Sequence, residues 1–296
     1  MNRILRNQRG QAMVLSVLFM SGMLGMGALV VDIGSWFRAQ RDTQRVADAA
    51  ALAGAQALPE SAGQARALAV EYTDKNNIAG TPTITFPTSN TIKVHVSKPV
   101  NGFFAKLFGI DTFNVGADAA ARAVAPSAAR WAAPIGVDVK HPLLQCKPLP
   151  CFNEDTELDL EKTGPGAFRL LNLDRSHGGT GPSDLAEWML KGYSGWMPID
   201  WYFSDPGTKF DASQIQDALN LRLGTEMLFP IYDKTEDEGA NFEYHVIGWV
   251  GFVVDSFEAR GNSGKLHGHF VRVVWEGIQS ESGDPDFGVR SIELIE

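Results

Sequence analysis

The sequence predicts an α+β protein: a long N-terminal transmembrane helix carrying a small α+β layer, followed by a mostly β C-terminal domain. Three observations predict it. Residues 12–31, AMVLSVLFMSGMLGMGALVV, contain no charged side chain. Residues 83–97 hold two apolar/polar runs split by a turn signal, and beyond Pro126 strand-like runs recur between glycine- and proline-rich breaks.

The apolar run comes first. At 1.5 Å per residue, about twenty helical residues span roughly 30 Å, the thickness of a bilayer's hydrocarbon core. Residues 1–11 then form a basic cytoplasmic tail and residues 12–33 the transmembrane helix. Three readings compete. A soluble core helix is usually shorter and polar on one face, whereas only Ser16 and Ser21 interrupt this run. A cleaved secretory signal has a shorter apolar region and a small-residue cleavage site. A prepilin leader is cut after a glycine just before the apolar run, where Gly10 stands. Ser21, Gly22, Gly25 and Ala28 form a small-residue face suited to packing against another membrane helix, unless the glycines are incidental. Arg3, Arg6 and Arg9 before the span are balanced by Arg38, Arg41 and Arg45 after it, so the terminal amine tips the N-terminus toward the cytoplasm.

Past the span the helix continues through an alanine-rich stretch, Gly34 to Leu58. Val46, Ala50 and Ala53 fall on one side, with Arg38, Arg41, Arg45 and Asp48 available for the other, and Pro59 ends it. A second helix is predicted from Ala62 to Lys75, where Ala65, Leu68, Ala69 and Tyr72 repeat at helical spacing. The period then becomes two. In TIKVHVS, Ile92, Val94 and Val96 point one way and Lys93, His95 and Ser97 the other; TITF, followed by the turn PTSN, supplies a partner strand. A short amphipathic piece, GFFAKLFG, follows, then FNVGADAAARAV, whose first part suits a strand.

These residues carry a resemblance. RGQAMVLSVLF, then VVDIGSWFRAQRDTQRVADAAALAGAQAL, the hairpin, FFAKLFGID and a strand ending in ADAAARA resemble the TadE/TadG-like proteins of the Flp (tight-adherence, type IVb) pilus-assembly machinery. The likeness covers roughly residues 1–125 and marks 34–125 as a pilin-like α+β region. It implies a bacterial inner-membrane protein with its N-terminus in the cytoplasm and its bulk outside, partnered by the lipid bilayer and other pilus-assembly membrane proteins. One position departs. Processed pilins of this type carry a glutamate five residues after the cleavage point, and counted from Gly10 that position is Leu15. The sequence therefore looks more like a permanently anchored TadG-type member.

Composition changes at the linker APSAARWAAP, and residues 126–296 form the second domain. Residues 1–125 carry 12 Lys/Arg against 8 Asp/Glu, and residues 126–296 carry 14 against 27. An acidic half repels phosphate backbones, so no nucleic-acid partner is expected. The two cysteines, Cys146 and Cys151, lie five apart in CKPLPC. That spacing suits a disulfide-closed loop in an oxidising exterior, or else two unrelated thiols. Strand candidates are FRLLNL, WMPIDWYF, MLFPIYD, FEYHVIGWVGFVVDSF, LHGHFVRVVW and VRSIELI, with RGNSGK as a turn, arranged as a sandwich or open barrel. Two helices interrupt them: DLAEWMLKG with Ser183 as N-cap, Lys191 in its last turn and Gly192 after it, and ASQIQDALNLRLG with Asp211 and Gln214 placed as a capping box.

The catalytic patterns fail on their own requirements. GYSGW around Ser194 has Trp196 where a nucleophile elbow needs glycine. DRSHG from Asp174 has Gly178 where a metal-adhesion loop needs a second hydroxyl. His267 and His269 share a strand face, yet two ligands are not a zinc site and no cysteine or acidic residue is close in sequence. DKTEDE, with Asp233, Glu236, Asp237 and Glu238, lacks calcium-loop spacing and reads as a solvated hairpin tip. DPDFG from Asp284 is a fragment of such a loop. GPG at Gly164 and GGTGP at Gly178 read as turns, and no phosphate-binding glycine motif occurs.

The expectation is a non-enzymatic, single-pass component of pilus assembly or secretion with an acidic extracytoplasmic domain. No cofactor, metal or small-molecule substrate is expected. Two alternatives stay open: a tethered extracytoplasmic enzyme or metal-binding module using some of His245, His267, His269 and the carboxylates, and a wall-polymer binder using Trp188, Trp196, Trp201 and Trp249.

Overall fold

The structure, a computed structural model, describes residues 11–76, 81–147, 150–160, 169–176, 180–205, 210–236, 241–260, 263–280 and 285–295. The tail arginines, Gly10, Gly164, His177, Gly178, Asp237, Glu238 and Asp284 lie outside them. The chain divides into two compact units, Met1–Arg122 with Glu293–Glu296, and Ala123–Ile292.

In the first unit α1 runs unbroken from Gln11 to Ala55. Its apolar N-terminal part is exposed along its length, and burial becomes regular only from Thr43 onward. There Val46, Ala47, Ala50, Ala51 and Ala53 are buried, because small side chains let α2 (Ala62–Lys75) pack close. Gly54 marks the tightest approach: a Cβ there would lie 2.5 Å from Ile92 Cδ1 and 2.9 Å from the Ala65 carbonyl. The α-helix stops three residues before the predicted Leu58. Residues 56–58 instead bond back to carbonyls three residues earlier, tightening the last turn before Pro59. Ser61 caps α2, accepting from Gln64 N at 3.1 Å. The stripe it buries is Ala65, Ala69 and Thr73, and Tyr72 is exposed. Spacing alone placed Tyr72 on that stripe; the i, i+4 row is what faces α1.

Strands β1 (Thr83–Thr88), β2 (Thr91–Asn101) and β3 (Thr112–Val124) form an antiparallel sheet, with Ile84 opposite Val94 and Val94 opposite Ala119. Ile92, Val94 and Val96 are buried, as are Ala117, Ala119 and Ala121 on β3. FNVGADAAARAV is thus strand throughout, its alanines alternating in and out, although alanine is a poor strand former in isolation. Gln40 and Gln44 donate to the β3 carbonyls of Gly116 and Asp118 at 3.0 and 2.9 Å, so the Arg/Gln-rich stretch of α1 is bolted to the sheet.

The second unit is built on a six-stranded sheet. Its order is β5 (Val137–Asp138), β9 (Glu226–Glu236), β10 (Glu243–Arg260), β11 (Ser263–Val271), β6 (Asp155–Asp159), with β8 (Asp200–Phe203) also pairing with β10. α3 (Pro182–Lys191) and α4 (Ser213–Arg222) contribute Leu185, Met189, Ile215 and Leu219 to one core with Phe229, Phe252 and Phe270. Tyr202, Tyr244, Trp249 and Val289 belong to a second core cluster. A small sheet joins β13 (Gly277–Gln279), β4 (Pro126–Ala129) and β7 (Met197–Pro198). β12 (Val273–Val274) pairs in parallel with the start of β14 (Val289–Ile295). Cys146 and Cys151 are joined by a disulfide, with Cα atoms 5.6 Å apart.

Three local expectations are corrected. The described part of FRLLNL is not a strand. Leu170 and Leu171 make single bridges, Arg169 and Arg175 adopt positive φ, and Asn172 Nδ2 folds the segment back onto Ser176. The cap of α3 is Gly181, because Pro182 occupies the first helical position that Ser183 would have had to precede. No capping box forms on α4. Its N-cap is Ala212, and Gln216 reaches back to the Asp211 carbonyl at 2.8 Å.

Tyr202 yields a pH prediction. Its hydroxyl donates to the Pro198 carbonyl at 2.7 Å, and burial pushes its pKa up to about 12 against the facing Arg175. The unfolded chain releases this proton near 10, so the stabilisation is complete below that value and is lost as pH rises toward about 12. Denaturant midpoints measured from pH 9 upward should fall across that window, and tyrosinate absorbance should lag behind that of the unfolded chain.

Candidate functional site

Asp32 stands immediately after the apolar run and is 3 % exposed. Its Oδ1 accepts from Phe103 N at 2.9 Å, and its Oδ2 from Phe104 N at 3.0 Å and Ala105 N at 2.7 Å. These amides open the 3-10 turn Ala105–Phe108, whose leading N–H groups have no partner within the turn. A carboxylate there satisfies three donors at once through charge-assisted bonds. Gly109 closes the turn at φ +80°, a geometry that disfavours any residue with a Cβ. GFFAKLFG is therefore a short loop clamped onto the end of the apolar helix.

Apolar groups surround the clamp. Trp36 packs on Phe113 with ring centroids 4.2 Å apart. Below them Leu24, Gly25, Ala28, Leu29, Phe104, Ala105, Ile110 and Phe113 line a groove of about 580 Å³ beside Asp32. The predicted packing face is thus divided. Gly25 and Ala28 border this groove, Gly22 faces open space, and Ser21 Oγ bonds back to the Val17 carbonyl at 2.8 Å.

In the second unit the three histidines named above, His245, His267 and His269, separate into two places. His245 pairs with Asp233 at 2.6 Å and lies against Trp201. His267 and His269 do share a face of β11. His269 stands opposite Asp155 on β6 and 3.2 Å from Asp255 on β10, and His267 stands opposite Glu157. Ligand atoms of Asp155, Asp255 and His269 all lie within 4.8 Å of one another. The acidic neighbours missing from the local sequence arrive from other strands. Asp233 lies within β9 and Glu236 is its last residue, opposite Glu243 of β10, and Asp174 caps a turn by accepting from Ser176 N. Ser194 is exposed, its carbonyl accepting from Arg130 Nε at 2.8 Å. The four tryptophans do not act as one contact face: Trp249 is core, Trp188 packs on Tyr193, and Trp196 lies under Arg130.

Sequence reasoning missed Asp32 as a site residue. The available signal was a lone acidic side chain at the end of an apolar span, with a glycine-bracketed aromatic loop downstream.

Among the described residues, α1 is the one helix long and apolar enough to cross a membrane. Residues 10–57 match a family model described as "Putative Flp pilus-assembly TadE/G-like". No curated protein and no solved structure matches the chain.

Proposed function

We propose, from the Tad-family match over the apolar helix and its continuation, that this chain is a non-enzymatic, single-pass membrane component of Flp pilus assembly or secretion. Its N-terminus lies in the cytoplasm, and its acidic β-rich domain works outside the inner membrane, where it serves adhesion. The observation that carries the reading is an exposed apolar helix that becomes a buried structural helix within the same unbroken element, with Asp32 closing the apolar run and regular burial starting at Thr43. Such a part transmits position: the α+β layer cannot tilt independently of the span.

Two measurements test this. After reduction by a membrane-impermeant phosphine, Cys146 and Cys151 should react with an impermeant thiol reagent in intact cells; reaction only after lysis overturns the topology. Deletion should remove Flp pili from the surface, and unchanged pili and adhesion would overturn the pilus role.

A second reading, a metal-binding extracytoplasmic module, is favoured by the approach of Asp155, Asp255 and His269. One imidazole and two carboxylates are a zinc-type donor set. It requires one zinc ion per full-length chain on titration, lost in His269→Ala; no stoichiometric binding, or binding unchanged in that variant, dismisses it.

A further inference from the structure

We infer that the Phe103–Ile110 loop is a second membrane contact: it enters the lipid leaflet beside Leu24–Leu29, and acyl chains fill the groove between loop and helix. This rests on the reading of α1 as a membrane span.

The argument starts from where the loop is held. Asp32 closes the apolar run and grips the amides of Phe103, Phe104 and Ala105. Phe104 and Ile110 nevertheless line the same groove as Leu24, which lies eight residues back along the helix from Asp32. Eight residues correspond to about 12 Å of helix axis. A span that places Leu24–Val31 in hydrocarbon therefore carries Phe104 and Ile110 to the same depth. Their exposure agrees: Phe103 is 74 % exposed, Phe104 41 % and Ile110 44 %, an aromatic and aliphatic cluster that water does not favour.

The backbone permits it. At membrane depth non-helical backbone needs its polar groups satisfied within the protein. Here the three leading amides bond to Asp32, Gly102 N to the Asp111 carbonyl, Gly109 N to the Lys106 carbonyl and Ile110 N to the Ala105 carbonyl. Lys106 can extend its amine back toward the headgroups while its stem stays apolar. The occupant of the groove is lipid rather than protein because the groove is continuous with the exposed apolar surface of α1, which the bilayer already covers in this reading.

The test uses the full chain, whose native cysteines are tied to each other, in phosphatidylethanolamine–phosphatidylglycerol vesicles. Single nitroxide labels are placed through Phe103→Cys and Ile110→Cys, with Met20→Cys in the span and Ser97→Cys on β2 as references. Power saturation by oxygen and by a nickel chelate gives each label's depth. The expected result is a positive, bilayer-side depth parameter at Phe103 and Ile110, of the same sign as Met20 and opposite to Ser97. Aqueous values at both loop positions, with Met20 still in the bilayer, overturn the loop insertion alone. Shielding of the loop from both quenchers overturns it in favour of a protein occupant. An aqueous Met20 overturns the membrane anchor itself and this inference with it.

Discussion

Asp32→Ala should release the GFFAKLFG loop from α1. Its carboxylate is the acceptor for three successive amides and is almost fully buried. Hydrogen bonds to a charged partner are worth about 1.5–3 kcal/mol each, but three made by one group do not add, so about 2–3 kcal/mol of local stability is expected to disappear. That corresponds to roughly 100-fold faster hydrogen exchange at Phe103, Phe104 and Ala105. Amides of Ile92 and Val94 in β2 should be unaffected, since their ladder partners on β1 and β3 remain. Asp32→Asn, which keeps one carbonyl oxygen but no charge, should fall between. Unchanged exchange at Phe103–Ala105 would mean that apolar packing, not the carboxylate, holds the loop.

Phe252→Ala should be the more damaging change to global stability, by about 3–5 kcal/mol. Phe252 is fully buried in the middle of β10, stacked on Phe229 at 5.4 Å and edge-on to Phe270 at 5.2 Å. Its neighbours come from β9 and β11, so the cavity left behind lies where two strand pairings meet and cannot collapse without bending both. Denaturation of the detergent-solubilised chain, followed by tryptophan fluorescence, reads the loss as a lowered midpoint. Val274→Ala, at a site 51 % exposed, should stay within about 0.5 kcal/mol of the parent. Equal effects of the two changes would contradict the core assignment.

What is legible in the sequence is periodic or compositional. A charge-free run long enough to span a bilayer forces a helix whatever surrounds it, and α1 is that helix. Alternation in TIKVHVS sorts Ile92, Val94 and Val96 from Lys93 and Ser97 because side chains on a strand face opposite ways, and the first three are buried. The limits of α2, Ala62–Lys75, are those read from the helical spacing that follows Pro59. The long apolar run around Trp249 reads as a central strand because both its faces must be covered, and β10 is flanked by β9 and β11.

Where a choice depended on a distant partner, local pattern did not decide it. FRLLNL has strand composition, yet Leu170 and Leu171 find only single bridges, to Ile135 and Ser204, and Arg169 at positive φ breaks any ladder. The caps of α3 and α4 fall on Gly181 and Ala212 rather than on Ser183 and Asp211. His267 and His269 acquired carboxylate neighbours only when β6 and β10 took their places beside β11. Asp32 is the clearest case. Its identity and its place at the end of the apolar run were visible in the chain, but the amides it binds lie 71 to 73 residues away. By itself the sequence determined the apolar helix, the hairpin and the acidic β-rich half, because hydrophobic period and charge act locally. The clamp, the groove and the loop beside the span were decided by tertiary structure, because a hydrogen bond needs its partner within about 3 Å and only folding brings residue 32 to residues 103–105.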